Sequence, residues 1–372
     1  MILLRRYPFF FQISNRLLGG IFAIAVLFTC SGEVPEVRTT SKLNACTKIS
    51  GLPGPEDIEL IETGGKSYLI ISSHERRTPN QDGNLFYIEL TDNSLAKKEF
   101  KINKLPIDKL PKYFRPHGIS HSTYKGKNRI YAISHPSFGN PEFDPSQSSP
   151  HTIEVFEELT GQKFQWKHVS TLSNETLFSP NDLFALPEEK LLISNDGSGS
   201  GQFWFFIDFL FNRNTADITY FDSGKFYLAN EKIPFGNGIW YKESGSEKTL
   251  YRASHLDKSI YVYSVNWVEN HAPLLKLQYK IGFPGGVDNL FLNEYGFIAG
   301  VHLSNMKFLD HSKSSESHSP SQIYRITNQN IPELLYSNKG DEISAISGGL
   351  IYKNTLFISQ VFDDFILACE ID

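Results

Sequence analysis

The segment PNDLFAL sets an amide and a carboxylate, Asn181 and Asp182, at the threshold of an apolar run. Strand interiors disfavour both residue types. For one such pair, a turn closing into a strand is reason enough. The pattern recurs, however, at Glu56-Asp57 in PEDIEL and Asp288-Asn289 in VDNLFL, with Asn237 in NGIW and His117 in HGIS at comparable thresholds. Carboxylates and amide carbonyls are hard oxygen donors. About six to eight of them around one cavity suit Ca²⁺, whereas Zn²⁺ would call for Cys or clustered His. Carboxylates buried together without a cation repel one another and protonate. Successive strand residues point in opposite directions, so Glu56-Asp57 and Asn181-Asp182 predict two ions stacked along one axis.

Such convergence needs elements that bring distant segments together. Almost no segment carries a helical period. Short β-rich runs recur instead, among them SYLIISS, NLFYIEL, RIYAIS, KLLISN, SIYVYSV and TLFISQV, separated by Gly, Asn, Asp, Ser and Pro. Six units begin with a polar or small residue, an apolar strand, a turn and a second strand. Their leading residues, Asp57, His117, Asn181, Asn237, Asn289 and Gly348, lie about 50 to 65 residues apart. That period suits a four-stranded blade, and six of them predict an all-β, six-bladed propeller. The innermost strand of each blade lines the central channel, so its first residues converge at one mouth. A propeller is one domain, and residues 44–372 form it without an internal boundary. The last strand, FILACEID, is expected to join the first blade near Cys46.

The 372 residues carry 36 Lys and Arg against 41 Asp and Glu, a net charge of −5 that gives no support for nucleic-acid binding. Arg5, Arg6 and Arg16 precede the apolar stretch LLGGIFAIAVLFTC, which is shorter than the ~20 residues a spanning helix needs. Residues 1–30 therefore read as an export signal. Cys30 stands where a lipoprotein would be cleaved and lipidated. Ordinary cleavage nearby and a retained membrane anchor are the rival readings. Residues 31–43 form a polar linker. Export gives meaning to the other two cysteines, Cys46 and Cys369. They bracket the folded region, and a disulfide between them would close a long loop, worth roughly 5 kcal/mol on the chain-entropy model.

These segments together resemble the paraoxonase/arylesterase family of calcium-dependent lactonases and esterases. The carriers are GPEDIEL, RPHGIS, AISHP, SPNDLFAL, ISND, FGNGI, GGVDNLFL, HLSNMK and the terminal CEID, in order from about Cys46 to Glu370. The resemblance implies a six-bladed propeller with two axial Ca²⁺ ions, a terminal disulfide and hydrolysis at the upper ion. Glu56, Asn181, Asn237, Asp288 and Asn289 would then hold the catalytic calcium. Asp57, Asp182 and the Ile119 carbonyl would hold a structural one deeper in the channel. His117 and His135 match the family's histidine dyad, with His117 as base and His135 as its partner. Asp288 competes for the role of base or nucleophile. His302 matches a further pocket histidine. His74 and His255 match no family site and read as surface or packing residues.

There are departures. After ISND the chain has Gly197 where the family has a histidine, and a Gly/Ser run that lacks the lysine of a phosphate loop. The apolar FWFFIDFLF, residues 203–211, would cover the active-site mouth, lie on a membrane or lipid surface, or pack on the rim. No Gly-x-Ser-x-Gly elbow is present, which speaks against an ordinary serine hydrolase. The sequence thus predicts an exported calcium-dependent hydrolase of small lipophilic lactones and aryl esters. A gluconolactonase-like sugar-lactone hydrolase and a non-catalytic, calcium-stabilised binding propeller are the alternatives.

Overall fold

A computed structural model describes residues 40–371 except 44, 145–148, 160, 162–163, 199–206 and 294–295. The export signal, Cys30, most of the linker and residues 203–206 of the apolar segment lie outside the described residues. Among the described residues, six sheets of four or five strands follow one another along the chain, antiparallel except for the pairing of Ile107–Asp108 with Trp166–Leu172. Each is a blade with its first strand innermost: Pro55–Thr63, Pro116–Tyr124, Pro180–Leu186, Gly236–Ser244, Gly286–Asn293 and Ile346–Tyr352. All six leading residues expected from the repeat fall within these strands.

The blades cohere because their strands are apolar on both faces. Strand Lys66–Ser73 is buried at every position after the first, and Ile70, Ile71, Ile133 and Ile193 are fully inaccessible. Sheets stacked face to face bury both surfaces, and so select near-continuous β-branched runs.

Ring closure differs from expectation. Cys46–Ser50 pairs antiparallel with Phe365–Glu370, Cys46 opposite Cys369. Both belong to the sixth blade, where the N-terminal strand is the outermost of four. The first blade is complete without either. The Cys46–Cys369 disulfide forms within this pairing.

A finer feature repeats in every blade. The ladder between the first and second strands breaks register at one place, between Pro55 and Asp57, Pro116 and Ile119, Pro180 and Asp182, Gly236 and Ile239, Val287 and Leu290, and Ile346 and Gly349. The skipped residues are Glu56, His117-Gly118, Asn181, Asn237-Gly238, Asp288-Asn289 and Ser347-Gly348. A bulge frees a side chain from the pleat and re-aims it. Here six bulges aim at one axis.

The helices Asp92–Lys97 and Asn305–Lys313 escaped the sequence reading. Asp92–Lys97 starts with a capping box between Thr91 and Ser94. Asn305–Lys313 is capped by Ser304, whose side chain accepts from the Lys307 amide. Both are short, with one buried side chain each, so neither shows an apolar period.

Candidate active site

The bulged residues build the floor of a cavity of about 370 Å³. Glu56, His117, Asn181, Asn237, Asp288 and His302 all line it. Asn289 completes the floor, its Nδ2 donating to Glu56 Oε1 and Ser347 Oγ, each at 3.0 Å. Ser347, the sixth blade's contribution, donates in turn to Glu56 Oε1 at 3.1 Å. The wall is apolar, formed by Phe209, Phe235, Phe308, Leu309 and Val361.

The donor set passes a direct test for a cation. Glu56 Oε2, Asn181 Oδ1, Asn237 Oδ1 and Asn289 Oδ1 are buried and have no hydrogen-bond partner among the described residues. Each is an acceptor oxygen, each comes from a different blade, and each orphan costs about 1–3 kcal/mol if left unmet. Burial and then the Glu56 carboxylate push Asp288 well above the usual carboxylate range. Two carboxylates and three amide oxygens around one point fit Ca²⁺.

One residue further along the strands, Asp57, Ile119 and Asp182 line a separate cavity of about 10 Å³, room for one water or ion. Asp57 Oδ2 accepts from the Ile119 amide at 2.6 Å and Asp182 Oδ2 from the Ile239 amide at 2.8 Å. Each carboxylate thus spans two blades. Burial, then Asp182 and Glu56, push Asp57 well above its ordinary range. Burial does the same for Asp182, against the Ile239 hydrogen bond. The chemistry again fits a cation, and Asp57 and Asp182 line a cavity separate from the one that Glu56 and Asn181 line.

The histidines are arranged differently from a simple dyad. The His117 and His135 rings meet edge to face, 5.1 Å between centroids, with no hydrogen bond joining them among the described residues. His135 Nδ1 instead lies 2.8 Å from His151 Nδ1. His117 Nδ1 lies 3.3 Å from Arg76 Nη2, and its Nε2 is 3.6 Å from Glu56 Oε1. Burial foremost, with Arg76 adding, lowers His117 to about 4, so it is neutral at physiological pH. Burial, then His117 and His151, takes His135 well below its ordinary value.

His302 Nε2 donates to the Ile346 carbonyl at 2.8 Å and lies 3.3 Å from Asp288 Oδ2. His255, read from sequence as a surface or packing residue, lines the cavity and is bonded through Nε2 to Asn305 at 2.8 Å. His74 is a packing residue, buried with Nε2 donating to the Gln81 carbonyl. Phe209 belongs to the apolar segment expected at the active-site mouth, whereas Asp196, Phe235, Asn305, Phe308, Leu309 and Val361 were not read from sequence as site residues. Of these, Asp196 closes the quoted motif ISND, and burial raises it to about 6. Leu210 and Phe211 are exposed beside Phe209, so the end of the apolar segment reaches both the cavity and solvent.

Six blades, a terminal disulfide and an axial set of oxygen donors define a class of propeller, and comparison with known proteins gives its family. The arylesterase family model matches residues 46–371, and the chain belongs to that family. It is 26% identical to mouse (Mus musculus) serum paraoxonase/arylesterase 1 over 342 residues, 87% of this chain and 88% of the relative. It is 24% identical to human (Homo sapiens) serum paraoxonase/arylesterase 2 over 373 residues, 96% and 97% of the two chains. Mouse serum paraoxonase/lactonase 3 is 23% identical over 376 residues, covering 93% and 98%.

Proposed function

We propose that this protein is an exported hydrolase of lactones and aryl esters that requires two calcium ions. The observation that carries the reading is the set of four orphaned oxygens converging with Asp288 at the floor of an apolar-walled cavity. Glu56, Asn181, Asn237, Asp288 and Asn289 would hold the upper ion, and Asp57, Asp182 and Ile119 the lower one. Bound at the upper position, Ca²⁺ supplies a Lewis acid that stabilises negative charge on a carbonyl oxygen.

The chain's own groups do the rest. Phe209, Phe235, Phe308 and Leu309 hold the lipophilic part of the substrate and exclude bulk water. The attacking water's oxygen bonds to the carbonyl carbon while its proton passes to a base. The resulting oxyanion re-forms the carbonyl as the ester C–O bond breaks, and the same proton goes to the leaving oxygen. His117, with His135 packed behind it, and Asp288 are the groups within reach for that proton.

No helix among the described residues is long and apolar enough to cross a membrane. Export rests on the N-terminal signal read from the sequence, with a periplasmic, cell-surface or secreted destination; lipidation at Cys30, cleavage nearby and a retained anchor are the alternatives. The exposed Leu210 and Phe211 support contact with a lipid surface at the cavity mouth.

A panel of acyl-homoserine lactones, other lipophilic lactones and aryl esters, assayed with and without EDTA, tests the reading. Calcium-dependent turnover is expected; a calcium-loaded protein that leaves the whole panel intact overturns it. Elemental analysis should find two calcium ions per chain. One ion would favour the sugar-lactone hydrolase alternative, since the Asp57–Asp182 level is what argues for a second.

A further inference from the structure

We propose that Arg76 is a positioning residue that holds His117 as its Nε2–H tautomer, making the imidazole a hydrogen-bond donor at the cavity floor. The inference rests on the hydrolase reading for its catalytic meaning, though not for its test. Arg76 Nη1 is fixed by three backbone carbonyls, Gly54 at 3.0 Å, His74 at 3.1 Å and Val361 at 3.0 Å. These come from the entry to the first blade, the loop of Arg76 itself and the end of a sixth-blade strand. The guanidinium is thereby bolted across the seam where the ring closes. Its Nη2 is left facing His117 Nδ1 at 3.3 Å.

A guanidinium has only N–H groups and no lone pair to offer. At that contact His117 Nδ1 must accept, and a neutral imidazole then carries its single proton on Nε2. Nε2 is the nitrogen on the Glu56 side, 3.6 Å from Oε1. His135 meets His117 edge to face with no hydrogen bond between them among the described residues, its Nδ1 facing His151 instead. Room for the clamp is built in at Gly54. Its φ is +53°, and a Cβ there would lie 2.8 Å from Arg76 Nη1 and 2.2 Å from the His74 carbonyl oxygen. With both ring nitrogens so assigned, His117 donates to the carbonyl-derived oxygen, and the proton lost by water passes to Asp288.

Isotope-labelled histidine ring nitrogens, observed by NMR at neutral pH in the calcium-loaded protein, read the tautomer directly. His117 is assigned by the signal lost in His117→Gln. The expected result is a protonated Nε2 and a bare Nδ1 in the parent protein. In Arg76→Met the signals should shift toward the Nδ1–H form, and kcat should fall on the order of 10²-fold with KM little changed. Added guanidinium ion should restore part of that loss. An Nδ1–H tautomer in the parent overturns the proposal outright, whatever the variants do. So does an Arg76→Met protein, folded by circular dichroism, whose His117 signals and kcat match the parent. Inactivity of the parent on every ester leaves the NMR outcome intact and defeats only the hydrolase reading.

Discussion

At the scale of single residues, the site is a collection of unmet oxygens. Asn181, Asn237 and Asn289 bury amide carbonyls that accept from nothing among the described residues, an arrangement that a bound cation would satisfy. Asn181→Ala or Asp288→Ala should therefore lower kcat by at least about 10²-fold, measured on whichever panel ester the parent turns over. A loss of less than tenfold in both would separate these oxygens from catalysis. A second expectation concerns His74 and His255, which burial lowers to about 3 and about 4. Between pH 6.5 and 4 the unfolded chain protonates these imidazoles while the folded protein keeps them neutral. Their contribution to stability is full above pH 6.5 and is lost as the pH falls, on the order of 3 kcal/mol for each by pH 4. Denaturant titrations across that range should show the decline, and His255→Gln should flatten part of it. The residues that line the cavity floor were legible because Asn and Asp are anomalous at strand starts. Arg76, His151 and Ser347 were not, since each acts through a contact that no spacing announces.

At the scale of elements, the inner strands matter more for their irregularity than for their pairing. Six bulges in phase lift Glu56, Asn181, Asn237 and Asp288 out of the ladder and return Asp57, Asp182 and Ile239 to it. This is how adjacent residues come to serve two levels. The strand–turn–strand repeat could be read from the sequence because apolar runs and turn residues alternate visibly. The bulges could not, because nothing in side-chain type marks an unpaired backbone position. One motif residue gains its reason here. A Cβ on Gly238, in FGNGI, would lie 2.7 Å from the Asp288 carbonyl oxygen and 2.9 Å from Asn289 Cα. The fourth blade's inner strand can approach the fifth only without a side chain at that point. Gly238→Ala should cost roughly 1–3 kcal/mol of unfolding free energy and weaken calcium retention, as measured by chelator titration. Unchanged stability and retention would mean the strands separate without consequence. The helix Asn305–Lys313, which supplies Asn305, Phe308 and Leu309 to the cavity wall, was hidden by its polar composition.

At the scale of the whole molecule, two devices hold the ring together. One is the axial pair of sites, where Asp57 and Asp182 each tie neighbouring blades through a backbone amide. The other is the Cys46–Cys369 disulfide within the sixth blade. Cys46→Ser should lower the unfolding free energy by ~2–5 kcal/mol while leaving kcat at room temperature near that of the parent, since neither cysteine lines the cavity. A large fall in kcat with unchanged stability would overturn that separation of roles. Closure by two terminal cysteines was legible in the sequence. Which blade they close was not, because strand order around a ring leaves no mark on residue type.

The composite sixth blade also dictates a timetable. Its outer strand, Cys46–Ser50, is among the first described segments to be synthesised, and its partner, Phe365–Glu370, is among the last. The early strand must wait, edge exposed, until the ribosome has delivered nearly every other residue. A chain halted before Phe365 lacks the strand that joins Cys46–Ser50 to the rest of the sixth blade, so that blade is completed only by the final few residues.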